Sequence, residues 1–315
     1  MDIVICTDNN YVMPAGVLIC SICENNKTEK IKFHIIGDNT LSEKNKQSLL
    51  EEIQHYHQEV SFYCADSSLN YLLPVGHKDQ LQHITVAAYY RLFLANILPN
   101  EINKILYLDC DIIVRYSLKE LWDTDITNYA VGCVADQCES LILFYNRLKY
   151  PQALGYFNSG VLLINLAYWR KYNLQNEYLF FLKKHPDRVV NHDQDILNYI
   201  LRNKKKALPL KYNVQNGFLC NQLQISWEYE KDLEEAINKP YIIHYLDRIK
   251  PWMKGCDHPF KSEFFKYRQL TQWKNTPLQK CKVKLPIKKR IRYLLSKLGL
   301  VSKHYDYRND LKLSI

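Results

Sequence analysis

Two aspartates, Asp109 and Asp111, stand two residues apart in the run ILYLDCDIIV, with apolar and β-branched residues on both sides. On an extended chain, side chains at i and i+2 point the same way, so both carboxylates can reach one cation. Hard oxygen donors suit Mg2+ or Mn2+, and such ions keep open positions that the oxygens of a substrate phosphate can fill. The spacing alone leaves a second reading open, a solvated aspartate turn between two strands, because dipeptide patterns of this kind also arise by accident.

The flanking sequence shows what must position the pair. Short apolar runs (IVIC, IKFHIIG, VSFYCA, KILYLD, YAVGCVAD and SGVLLINL) are separated by stretches of helical periodicity and polar loops. Pro14 opens a helix carrying Val17, Leu18, Cys20 and Ile22, and Ser42 starts a second one ahead of Leu49, Leu50 and Ile53. This β–α alternation predicts an α/β fold with a mainly parallel sheet and helices on both faces. Ligands of such sheets bind beyond the carboxyl ends of the strands. The residues at those ends are Thr7 and Asp8, Asp66, Asp109 to Asp111, Asp136 and Asn165. Neither GxGxxG nor GxxxxGK[ST] occurs, which argues against a dinucleotide fold or a P-loop.

Taken in order, the segments IVICTDNNY, HITVAAYYRL, KILYLDCDIIVRYSLKELWDTD, YFNSGVLLINLAYWR, NHDQDILN and HYLDRIKPW resemble retaining glycosyltransferase family 8. That group contains bacterial lipopolysaccharide galactosyl- and glucosyltransferases and glycogenin. The resemblance runs from Met1 to about Gly255, and it is greatest to the neisserial-type α-galactosyltransferases of lipooligosaccharide synthesis. It implies a GT-A type, Rossmann-like domain over residues 1–279, followed by a tail at 280–315. The implied reaction moves galactose or glucose from a UDP-sugar to a hydroxyl of a glycan or glycolipid acceptor.

By the same resemblance, Asp109, Asp111 and His244 are metal ligands for Mn2+ (or Mg2+), with Cys110 between the aspartates at a position that varies among apolar residues. Cys6 and Thr7 lead into the donor site. Asp8 and Asn10 are expected to hydrogen-bond uracil and Tyr11 to stack on it, as a planar base allows. Without the resemblance these residues read as an ordinary strand-to-helix turn. Lys250 would meet the diphosphate as a point charge, and His83 is assigned to the rim of that site. Arg91, Asp136, Asn158, Asp193 and Gln194 would line the sugar pocket, where hydroxyls need many polar partners. Asp195 reads equally well as an acid complementing the N-terminus of the helix DILNYILR.

Gln194, Asp193 and Asp136 are the catalytic candidates. Retention is compatible with a covalent enzyme intermediate or with attack on the same face as the departing phosphate. Gln194 matches the residue nearest the anomeric centre, and an amide is a poor nucleophile, which favours same-face attack. One residue departs from the pattern: Asp247 stands where the family carries glycine beside the diphosphate. A carboxylate there repels phosphate unless it turns outward or is paired, for instance by Arg248.

Bulk properties narrow the partners. The net charge of +9 lies wholly in the tail, where residues 280–315 carry eleven Lys and Arg against two Asp, so the preceding residues are balanced. Nucleic acid is therefore not an expected partner. Ile287, Ile291, Leu294, Leu295 and Leu298 repeat at helical spacing among Lys288, Lys289, Arg290, Arg292 and Lys297. Such a basic amphipathic helix suits the anionic inner face of the cytoplasmic membrane. A helix packed on the body of the domain is the alternative. The first residues read as a buried strand without the features of an export signal, and the ten cysteines sit largely in apolar runs, so a cytoplasmic, peripherally attached protein is expected. The pair Cys20 and Cys23 falls mid-helix with no second pair nearby, which argues against zinc. Two other function classes fit a divalent site: a nucleotidyltransferase, and a non-catalytic sugar-nucleotide-binding protein. Oligomeric state is not legible.

Overall fold

The computed structural model describes residues 1–65, 86–220 and 223–280, together with Ile291 and Leu295. Asp66, His83 and nearly all of the basic tail lie outside the described residues. The apolar runs form strands, and short strands link them: β1 (Asp2–Cys6), β2 (Lys32–Gly37), β3 (Glu59–Cys64), β4 (Lys104–Leu108), β5 (Ile112–Val114), β6 (Val131–Ala135), β7 (Phe157–Asn165), β8 (Lys205–Ala207), β9 (Val214–Gln215) and β10 (Ile242–His244). All six runs singled out above are strands. A seven-stranded sheet has the order β3-β2-β1-β4-β7-β6-β8, and a three-stranded sheet the order β5-β10-β9.

Side chains alternate across the larger sheet, and both faces are buried. Ile3, Ile5, Phe33, Ile35, Leu106 and Leu108 join one apolar cluster, while Val4, Cys6, Ile36, Ile105 and Tyr107 join the other. Helix Val12–Asn25 covers the first face and helix His192–Leu201 the second. The first of these helices is buried almost all round. Its Leu18 and Ile22 pack on the large sheet, and its Met13, Val17 and Cys20 join Ile113, Ile243 and Trp252 beyond it. Each fully buried Leu or Ile adds roughly 1.5–3 kcal/mol over an exposed one. At Gly16 a Cβ would lie 1.9 Å from the Trp273 ring, so the chain beyond residue 260 is packed directly on this helix.

As expected, Ser42 caps the helix Glu43–His55 by accepting from the backbone N–H of Asn45. Cys20 and Cys23 are buried free thiols in mid-helix, and burial pushes Cys20 up to about 12. Neither is poised for redox or metal chemistry.

Strand direction differs from the sequence expectation at one point that matters. β1 to β4 are mutually parallel and β8 is parallel to β6, but β7 runs antiparallel to both β4 and β6. Asn165, taken above as a residue at the ligand-binding edge, therefore pairs with Lys104 at the opposite edge. There its side chain accepts from Tyr168 N and caps the helix Leu166–Lys171. The beginning of β7, not its end, reaches the carboxyl end of β4. Apolar periodicity records which face is buried but not which way a strand runs. No helix among the described residues is long and apolar enough to cross a membrane.

Candidate active site

Three strands deliver residues to one edge. After β1, the Asp8 carboxylate accepts backbone N–H groups from Asn10 (2.8 Å) and Tyr11 (3.1 Å), tying the turn into the helix that follows. Tyr11 meets Trp252 edge to face, with ring centroids 5.9 Å apart. After β4, the chain turns at Cys110 and Asp111 to leave the large sheet and enter the small one at β5. The two aspartates thus sit at a turn between two strands, as the second local reading had it, and not on one extended segment. Cys110 fixes that turn by donating its thiol to the Cys6 carbonyl at 3.1 Å. In the small sheet, β10 ends at His244, paired with Ile112.

At this junction Asp109, Asp111 and His244 each offer a ligand atom within 4.8 Å of the others. Both carboxylates have one oxygen held by short contacts. Asp109 Oδ1 accepts from Arg91 Nη2 (2.8 Å) and Tyr107 OH (2.7 Å), and Asp111 Oδ2 accepts from Lys250 Nζ (2.8 Å). The other oxygens face His244 Nε2, at 3.8 Å from Asp109 Oδ2 and 3.2 Å from Asp111 Oδ1. His244 Nδ1 lies 3.0 Å from Asn213 Oδ1. An amide oxygen only accepts, so this contact puts the proton on Nδ1 and turns the lone pair of Nε2 toward the carboxylates. Nε2 is buried with no hydrogen bond.

One nitrogen and two carboxylate oxygens converging around an orphan lone pair fit a divalent cation. Burial alone would raise the Asp111 carboxyl, but the neighbouring Lys250 ammonium outweighs it and holds Asp111 well below the usual carboxylate range. Gly160 is required by the packing: a Cβ there would lie 2.1 Å from His244 Cε1 and 2.8 Å from Asp109 Oδ2.

Beside this cluster lies a second one built from amides. Asp136 Oδ2 accepts from Gln194 Nε2 (3.0 Å) and Asn158 Nδ2 (3.3 Å), and its Oδ1 accepts from Cys138 N (2.9 Å). Gln194 Oε1 accepts from Ser159 N (3.0 Å) and Asn158 Nδ2 (3.1 Å). Asn213 Nδ2 donates to Asn158 Oδ1 at 2.9 Å, linking the two clusters. Arg91, 4% exposed, joins them as well, with Nε 3.1 Å from Asp193 Oδ2. Burial pushes Asp193 up to about 6, with Arg91 opposing. Asp195 is structural: fully buried, it pairs with Arg147 (2.7 Å) and accepts from Tyr156 OH and the N–H groups of Val190 and Asn191.

A cavity of about 460 Å³ opens over both clusters. From the β1 end its wall takes Cys6, Thr7, Asp8 and Tyr11; from the charged cluster Arg91, Asp109, Cys110, Asp111, His244 and Lys250; from the amide side Asn158, Asp193 and Gln194. Among the described residues, two expected ones are not in the wall. Asn10 is exposed outside it, and Asp136 is buried behind Gln194. Asp247 is not in the wall either, whereas Arg248 is, so the carboxylate departing from the family pattern does not face the cavity. Sequence reasoning missed Tyr107, Ser159, Gly160 and Asn213. Only Gly160 carried a signal, as a glycine inside a strand pattern.

Comparison with known proteins agrees with this architecture. A profile of Glycosyl transferase family 8 matches residues 2–256. The chain is 32% identical over 281 residues to General stress protein A of Bacillus subtilis (strain 168), covering 87% of this chain and 94% of that one. It is 31% identical over 295 residues to a Lipopolysaccharide 1,2-glucosyltransferase of Escherichia coli, covering 91% and 84%. Its fold matches the crystal structure of the galactosyltransferase LgtC in complex with donor and acceptor sugar analogs, with a TM-score of 0.78 at 24% identity over 93% of this chain and 100% of that one. The DxD turn, the histidine at the end of β10 and the fold around them thus sit within a matched family, and the chain is a glycosyltransferase belonging to glycosyl transferase family 8.

Proposed function

We propose that the enzyme transfers galactose or glucose from a UDP-sugar to a hydroxyl of a lipopolysaccharide or lipooligosaccharide acceptor, retaining the anomeric configuration. The observation that carries this reading is the Asp109–Asp111–His244 cluster, which holds an unpartnered imidazole nitrogen and lines a cavity walled by polar groups suited to a nucleotide and a sugar. Those three residues would hold the divalent cation, and the nitrogen donor favours Mn2+ over Mg2+. When bound, the cation supplies Lewis-acid stabilisation of the charge that builds on the departing UDP.

The chain's own residues do the rest. Tyr11 and the Asp8 turn receive the uracil, and Lys250, held between Asp111 and the Tyr245 carbonyl, keeps a positive charge beside the diphosphate. Asp193, Asn158 and Gln194 orient the hexose. Asp136 acts as a positioning residue through the Gln194 amide. The Gln194 carbonyl already accepts from two N–H donors, which makes it a still poorer nucleophile. Same-face attack follows: the bond from acceptor oxygen to C1 forms as the bond from C1 to the phosphate oxygen breaks, and the acceptor proton passes to the departing phosphate.

The E. coli relative named as a lipopolysaccharide glucosyltransferase supports a surface glycan as product. Residues 1–279 would form the catalytic domain, and the basic tail at 280–315 would hold it on the inner face of the cytoplasmic membrane, where lipid-linked acceptors lie. The test incubates the full chain with UDP-galactose or UDP-glucose, Mn2+ and lipooligosaccharide fragments, following UDP release and the anomeric signal of the product by NMR. An α-linked product from one donor is expected. Pyrophosphate release, or an inverted product, would overturn the reading.

A further inference from the structure

The cations of the cavity wall are unequally engaged. Arg91 is committed to Asp109, Asp193 and the carbonyls of Ala88 and Ser159. Lys250 is committed to Asp111 Oδ2 at 2.8 Å and to the Tyr245 carbonyl at 2.6 Å. Arg248 also lines the cavity, is exposed, and among the described residues makes no hydrogen bond or ion pair.

Its surroundings make that idleness informative. The wall contains four carboxylates, those of Asp8, Asp109, Asp111 and Asp193. Arg248 shares the wall with these acids, yet the bend after His244 leaves it without an ion pair to any of them among the described residues. Asp247, its neighbour, does not line the cavity, and its charge acts on Cys220, Cys256 and His258 instead. Arg248 thus stands four residues beyond a proposed metal ligand and two before Lys250, as an uncommitted charge facing the space where a diphosphate must enter against a negative wall. The planar guanidinium fork matches two phosphate oxygens at once, which a lysine cannot do.

We propose that Arg248 is a further donor-binding residue, taking phosphate oxygens of the nucleotide diphosphate at the mouth of the cavity. This rests on the UDP-sugar reading above. It also explains how the segment tolerates Asp247: the carboxylate turns away and the next residue supplies a cation in its place. Because the leaving UDP gains negative charge as the bond from C1 to oxygen breaks, the contact strengthens along the reaction and acts on kcat as well as on donor KM.

The test uses the full chain, with UDP and uridine as probes in the presence of Mn2+. Arg248→Ala is expected to weaken UDP binding by about ten- to a hundredfold, with uridine affinity and Mn2+ affinity without nucleotide unchanged. Arg248→Lys should recover part of the loss. Arg248 is exposed, and thermal melts are expected to show both variants folded. UDP affinity of Arg248→Ala within twofold of the wild type would overturn the inference, as would an increase confined to the KM of a phosphorylated acceptor. Failure of the wild-type protein itself to bind UDP with Mn2+ would overturn the UDP-sugar reading and this inference with it, a result distinguishable from failure of Arg248 alone.

Discussion

The carboxylate–imidazole cluster of Asp109, Asp111 and His244 and the amide cluster of Asp136, Asn158 and Gln194 lie side by side, and Asn213 touches both, with one amide atom for each. In the amide cluster the buried polar atoms of Asp136, Asn158 and Gln194 are paired with neighbouring protein groups. In the other cluster His244 Nε2 is left without a hydrogen bond, and two carboxylate oxygens face it. Satisfied polar groups rigidify a fold, whereas an unsatisfied buried one costs free energy that folding alone gives no reason to bear. The amide cluster reads as scaffold, and the Asp109–Asp111–His244 cluster as the part that awaits a ligand.

The contrast can be broken most severely at Asp111. Asp111→Ala is expected to lower metal-dependent UDP release by about 10²–10³-fold or more, measured by coupled assay at saturating donor, while thermal melts show a folded protein. Retention of wild-type turnover would remove the cluster from the chemistry. Gly160→Ala is the next largest change. Its Cβ would displace the His244 ring, so Mn2+ affinity should fall at least about tenfold, with a stability loss of about 1–3 kcal/mol from overpacking. Calorimetric titration with Mn2+ reads the first effect and urea unfolding the second; a variant that binds Mn2+ as the wild type does would show that the ring position is not critical.

Asn213→Ala separates the clusters more gently. Without its oxygen, His244 loses the partner that fixes its tautomer, and Mn2+ affinity should drop about 10–100-fold. An equal loss on Asn198→Ala, which removes contacts to Phe157 and Gln194 only, would mean that the effect is general loosening.

The smallest functional effect is expected at Glu52, a buried carboxylate remote from both clusters. Burial pushes it up to about 7, with only a backbone contact at Gln272 opposing. Since the folded state holds this proton to higher pH than the unfolded state, stability falls as pH rises from about 4.5 to about 7, and the penalty is complete above that range. Glu52→Gln should therefore gain about 1–2 kcal/mol over the wild type across that window, with turnover unchanged. A constant difference between the two across pH would contradict this. The comparison shows why Asp111 stays ionised: it has the Lys250 ammonium beside it, and Glu52 has no such cation.

Much of the fold was legible because the strands are long apolar runs with period-two burial, as in IVIC and SGVLLINL. The short β5, β8 and β9 were not, since two or three residues carry no periodicity and KKA has no apolar residue beyond its alanine. The antiparallel course of β7 was hidden for the reason that misplaced Asn165: pattern gives faces and not direction. Of the site, the residues in named motifs were found, and thirteen of them meet in one cavity wall. Asn213 escaped because its role depends on distant chain segments meeting, and nothing local marks an asparagine that steers a histidine 31 residues away; Tyr107, whose hydroxyl reaches Asp109 two residues on, reads in the sequence only as a core position of β4.

The central claim, that the Asp109–Asp111–His244 cluster holds a divalent cation which joins the donor diphosphate to the protein, is tested most directly by calorimetry of UDP binding with Mn2+ and with chelator. The account predicts tight binding with Mn2+, loss of about a hundredfold or more on chelation, and the same loss in Asp111→Ala even with metal present. UDP binding of equal strength with and without divalent cation would contradict it.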